Sequence, residues 1–145
     1  MISDYFGCYQ SPDVIASVPT NYTSDGLIVW SKFKWSKMRF DRRYYGEQTA
    51  IIDEALKNPN KAVILQVDNQ AHWVVALRKN LFGKDYVCLD PWDGKKKDTK
   101  RTYKNITGFA VFCRSSVKEK PPIRVVFLIF KRSRVCKSYP LFTLF

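Results

Sequence analysis

The sequence predicts an α+β domain built on a small antiparallel sheet covered by helices. Three observations carry this expectation: an apolar hairpin, a buried strand before it, and one clear amphipathic helix before that. Val74-Val75-Ala76-Leu77 and Tyr86-Val87-Cys88-Leu89 are the hairpin arms, separated by the turn-like Lys79-Asn80-Leu81-Phe82-Gly83-Lys84. Ala62-Val63-Ile64-Leu65-Gln66-Val67 reads as the buried strand. The helix runs from Glu47 to Lys57, where Ala50, Ile51, Ala55 and Leu56 share one face and Asn58-Pro59-Asn60 ends it.

The remaining elements follow along the chain. Ser11-Pro12-Asp13-Val14-Ile15-Ala16-Ser17 is a short helix, with Ser11 as N-cap and Pro12 at its first position. Residues 19–46 are aromatic and irregular, with turn signals at Pro19, Asn21 and Asp25-Gly26. Asp93-Gly94-Lys95-Lys96-Lys97 is a polar turn, and Ile106-Thr107-Gly108-Phe109-Ala110-Val111-Phe112 a fourth strand. Alternation puts His72, Val74 and Ala76 on one sheet face and Trp73, Val75 and Leu77 on the other. Both faces are mostly apolar, so each needs cover, yet no long helix is evident.

The chain has 145 residues, enough for one domain with a real core, which residues 1–114 supply. Residues 115–145 form a basic, apolar tail without steady periodicity. Residues 1–77 hold 8 basic and 8 acidic side chains, whereas 78–145 hold 17 and 5, so the net +12 lies in the second half. Such asymmetry fits a solvated tail, or a polyanion such as an anionic wall polymer, a membrane surface or nucleic acid. Lys95, Lys96, Lys97, Lys100, Arg101 and Lys104, with Tyr103 among them, form the best patch. No nucleic-acid motif accompanies it, which disfavours nucleic acid as the partner.

Four cysteines, Cys8, Cys88, Cys113 and Cys136, lie at irregular spacing beside a single histidine, His72, which disfavours a zinc site. Cys88 and Cys113 sit within apolar runs as small hydrophobes. The amino terminus lacks a signal-peptide pattern, and the longest apolar run, Val125 to Phe130, is too short to span a bilayer.

Chemistry concentrates at His72 and Asp90. A hairpin folded symmetrically about Leu81 places His72 opposite Asp90 and Cys88 opposite Val74. Directly opposed side chains on one face are close enough for an imidazole–carboxylate hydrogen bond. A carboxylate that orients a histidine is half of a catalytic triad. The bland alternative is that His72 is a satisfied polar residue at a strand end.

Lys61–Val67, Gln70–Leu77 and Tyr86–Gly94, with the Asp90-Pro91 pair and Gly94 close behind, resemble the C-39-like peptidases. These are papain-like cysteine peptidases related to those that process bacteriocin leaders, and the resemblance covers residues 5–113. It implies a papain-like core, with His72 as general base and Asp90 as orienting carboxylate. The implied reaction is peptide-bond hydrolysis by thiol acyl transfer, which needs no cofactor. The implied partner is a peptide or protein substrate, and relatives are often secreted or membrane-associated. Tyr5-Phe6-Gly7 matches the end of the helix that carries the family's nucleophilic cysteine, and Ser11-Pro12-Asp13 the next helix start. The family cysteine therefore aligns upstream of Met1. The expectation is a core lacking its first helix, truncated at its amino end and inactive alone.

Cys8 is the substitute nucleophile, with chain order Cys, His, Asp in its favour. Pro12 opposes it, because a helix headed by Cys8 would hold proline in its interior. Cys88 is placed in mid-strand, as a packing residue. A non-catalytic peptide- or polyanion-binding module on the same fold is the alternative function. A wall amidase of the cysteine–histidine type is disfavoured, since such sites usually employ a second polar residue, often histidine.

Overall fold

The computed structural model describes residues 1–32, 35–81 and 85–115. Its frame is one six-stranded antiparallel sheet in the order β1-β6-β2-β3-β4-β5. The strands are β1 (Met38–Tyr45), β2 (Lys61–Val67), β3 (His72–Lys79), β4 (Tyr86–Leu89), β5 (Lys96–Asp98) and β6 (Ile106–Arg114). Four short helices accompany them: α1 (Ile2–Tyr5), α2 (Pro12–Ala16), α3 (Thr49–Lys57) and α4 (Thr99–Tyr103).

The expected helix α2 forms, and the Ser11 hydroxyl accepts the Val14 N–H as its cap. Helix α3 starts two residues later than expected and buries Ile52 and Ala55 while Ala50 stays exposed. With α3 on one face of the sheet, the core there is Val63, Leu65, Val67, Val74, Cys88 and Phe109. Phe6, Met38, Ile64, Ala110 and Phe112 build the other, where Trp30, Trp35 and Phe40 meet the Phe112 ring edge-on. Irregular aromatic sequence thus covers this second face in place of a long helix. Each such ring pair adds about 0.5–1.5 kcal/mol beyond the area it buries. Cover stops at the β3–β4 end, where Val75, Leu77 and Leu89 line an apolar cavity of about 350 Å³ with Ile2 and Tyr5.

Three expectations need correction. The segment read as irregular contains β1, an edge strand whose exposed Arg39, Asp41 and Arg42 hide its period. Lys96 and Lys97, read as turn, open β5, because pairing with Cys88 and Leu89 outweighs the weak strand preference of lysine.

The hairpin register is the third. Cys88 faces Ala76, not Val74, and Leu89 faces Val75. Asn80 N–H bonds the Asp85 carbonyl at 2.8 Å, so Asn80 faces Asp85, three places on from the partner that symmetry about Leu81 gives it. That shift alone, three places in pairing, would turn Asp90 to the face opposite His72. A bulge between Ala76 and Arg78 inserts Leu77 and reduces the shift to two, which restores the face. Strand β6 ends at Arg114, and the tail expected over residues 115–145 lies, from residue 116 on and with Cys136, outside the described residues.

Candidate active site

His72 opens β3 and Asp90 follows β4, so both stand at the same end of the sheet. The ring Nε2 lies 2.8 Å from Asp90 Oδ1. The β3–β4 register, continued past Leu89, leads Asp90 toward Val74. His72 therefore meets Asp90 along a diagonal rather than head-on, a reach that a long side chain spans.

Asp90 is almost sealed, its side chain 4% exposed. A carboxylate so placed needs every lone pair engaged. Oδ1 accepts the Trp92 N–H at 2.9 Å as well as the imidazole. Oδ2 accepts the Lys97 ammonium at 2.6 Å and the Tyr103 hydroxyl. The turn that holds it is closed by Gly94 N–H to the Asp90 carbonyl, 2.9 Å, with Gly94 at φ +67. Only a residue that tolerates left-handed backbone fits there without cost.

Burial alone would raise the Asp90 carboxyl. The bonds from Lys97, Tyr103, the Trp92 amide and His72 together outweigh it and hold the group well below the usual carboxylate range. Lys97 is shifted upward by its bonds to Asp90 and Asp93. Tyr103 is pushed up to about 12, by burial first and then by its bond to Asp90. Asp90 is thus a permanent anion at neutral pH beside a permanent cation and an intact phenol.

The imidazole is held as well as bonded. Trp92 packs on it at 5.8 Å and Tyr103 at 5.7 Å, ring centre to ring centre. With Nε2–H directed at a carboxylate, the neutral ring carries its free lone pair on Nδ1. Nδ1 makes no hydrogen bond to the described residues, and the His72 side chain keeps 16% exposure. This geometry gives a base with one nitrogen committed and the other available for proton transfer.

No described sulfur serves that nitrogen. Gly7 N–H bonds the Asp4 carbonyl and Cys8 N–H the Ser3 carbonyl, both 2.8 Å, with Gly7 at φ +67. This is a Schellman ending for α1. Cys8 therefore sits past a helix carboxyl end and lacks the helix amino terminus that the family's nucleophile occupies. The neighbouring Tyr5 hydroxyl bonds the Pro59 carbonyl, which fixes α1 at the start of β2. Val67, at the far end of β2, is the residue that pairs with His72. Strand rise puts those two ends on the order of 20 Å apart. Cys88 is fully buried, its Sγ 3.3 Å from the Lys97 carbonyl, and burial pushes its thiol upward. Burial likewise raises Cys113, at the Lys61 end of β6.

The lysine patch divides in two. Lys97 is turned onto Asp90 and Asp93, and Lys100 pairs with Glu47 at 2.7 Å. Lys95, Lys96, Arg101 and Lys104 are exposed and join none of the ion pairs among the described residues. No cluster of metal-ligating side chains occurs among the described residues.

The sequence reading missed the support around the dyad. Lys97 reads there as a turn residue and a member of the polyanion-binding patch, and Tyr103 as an aromatic within that patch. Comparison with family models, curated proteins and solved structures finds no match for this chain.

Proposed function

We propose that this chain supplies the base and orienting acid of a papain-like cysteine peptidase of the C-39-like type. The carrying observation is the 2.8 Å contact of His72 Nε2 with Asp90 Oδ1, which leaves Nδ1 for chemistry. In this reading a thiol at Nδ1 gives up its proton to His72, and the thiolate adds to the carbonyl carbon of a peptide bond. The imidazolium then protonates the leaving amine as the C–N bond breaks, giving a thioester. Water, deprotonated by Nδ1, releases the acid and regenerates the thiol. Asp90 stays ionised throughout and holds the ring and its charge.

Cys8, Cys88 and Cys113 are not suited to that role, so the reading calls for another thiol and for no hydrolysis by these residues alone. The open apolar cavity along β3 and β4 supports a docked helix as its carrier. The test is the reading frame ahead of the Met1 codon, expressed together with residues 1–115. A cysteine about one helix before Tyr5, with peptide cleavage lost on His72→Ala, supports the proposal. A frame without one, or cleavage indifferent to His72, overturns it.

A non-catalytic module is the second reading, favoured by the exposed Lys95, Lys96, Arg101 and Lys104. It expects salt-dependent retention on heparin after removal of residues 116–145. Absence of retention at low salt removes it.

A further inference from the structure

A cavity of about 450 Å³ opens beside the dyad, on the opposite sheet face, lined by Trp30, Arg43, Gln66, Gln70, Ala71 and Trp73. Ala71 and Trp73 flank His72 in the chain, so its wall and the start of β3 are the same backbone. Arg43 is its one cation. The guanidinium lies 5.4 Å from the Trp73 ring centre and 5.0 Å from that of Tyr45. Its Nη2 donates to Gln66 Oε1 at 3.0 Å, while its Nε is buried with no hydrogen-bond partner among the described residues. Arg43 joins no ion pair among those residues either. A buried guanidinium N–H left unpaired is costly unless an acceptor arrives.

The protein holds this arrangement firmly. Gln66, 6% exposed, receives Arg43 on Oε1 and donates Nε2 to the Gln70 carbonyl at 3.2 Å. The turn it grips runs Asp68, Asn69 and Gln70 at φ 52, 50 and 77, three successive non-glycine residues in left-handed backbone. Such strain persists only where surrounding contacts over-determine it, and it clusters at working sites.

We infer that this cavity binds a peptide carboxylate, held by Arg43 beside the edge-to-face Trp30–Trp73 pair, whose ring centres lie 5.5 Å apart, next to His72. The inference rests on the peptidase reading for its substrate class, and a planar acid is what a guanidinium fork fits. An acidic side chain and a chain-terminal carboxylate share that chemistry.

Tryptophan fluorescence titration of the 145-residue chain tests it with three tetrapeptides. One is acetyl-Ala-Glu-Ala-Ala-amide, one its Gln counterpart, and one that Gln peptide with a free carboxyl end. At least one acid peptide should bind about tenfold tighter than the neutral one, and which one identifies the source. Arg43→Gln should erase the preference. Equal binding of all three, or no binding by any, overturns the inference without need of a variant. A preference that survives Arg43→Gln does so too. His72→Ala should keep the preference, so failure of the peptidase reading shows separately, as no His72-dependent cleavage by the chain extended with its upstream frame while carboxylate binding stays intact.

Discussion

Lys97 Nζ lies 2.6 Å from Asp90 Oδ2, on the carboxylate oxygen that His72 does not hold. The aspartate thus stands between a fixed cation and an imidazole, and one lysine of a basic run is part of the site. Replacing Asp90 by asparagine removes the anion and leaves the ammonium facing an amide. Asp90→Asn should cost about 2 kcal/mol of stability in urea unfolding. A loss below about 0.5 kcal/mol would show the pair to be no better than a surface contact.

Acid should erase that difference. The folded Asp90 carboxyl is held low, so between its folded value and the unfolded value of about 3.9 the unfolded chain binds the extra proton. Stability from this group is therefore complete above that unfolded value and is lost as pH falls toward the folded one. The gap between wild type and Asp90→Asn should narrow as pH falls below about pH 4. A gap that widens in acid contradicts the bonding described.

His72 is the only histidine, so its ring nitrogens can be followed by nuclear magnetic resonance without assignment. At pH 8 the ring should carry its proton on Nε2 in the wild type. Asp90→Ala should give a mixture of tautomers. A predominantly Nδ1-protonated wild type would refute the proposed direction of proton transfer.

Deletion of Leu77 removes the bulge residue that restores the face of Asp90. The shortened strand should still pair near Lys79 and Tyr86, but His72 and Asp90 should separate. The expected sign is the tautomer mixture of Asp90→Ala in a folded protein. Retention of the Nε2–H form would mean that the bulge has no part in the site.

Gly108 lies where an added Cβ would meet the Tyr44 carbonyl oxygen at 2.9 Å and Gln66 Oε1 at 3.2 Å. Backbone cannot retreat cheaply, so Gly108→Ala should destabilise by about 1–3 kcal/mol and weaken binding in the Arg43 cavity. Thermal unfolding and the peptide titration measure the two effects. No change in either would place the Gln66 contact outside the support of the cavity.

Cysteine reactivity separates the remaining enzyme reading. Cys88 should resist iodoacetamide until the chain unfolds, since it is fully buried in β4. At pH 6, Cys8 should react no faster than free cysteine, given its place after the carboxyl end of α1. Faster labelling would restore Cys8 as a nucleophile.

The sequence by itself determined which segments become β2, β3, β4 and β6, and which residues within each strand share a face. Those properties follow from local alternation, whose period of two is written in consecutive residues. Tertiary structure decided how the side chains meet. The register depends on a loop closed by Asn80 and Asp85 and on one inserted residue, neither of which alternation records. The same holds for Lys97 and Tyr103, which β5 and α4 turn back onto Asp90, and for the Arg43–Gln66 pair, joined between β1 and β2. A buried carboxylate or amide takes whatever partners the fold brings to it, and desolvation makes those bonds worth forming.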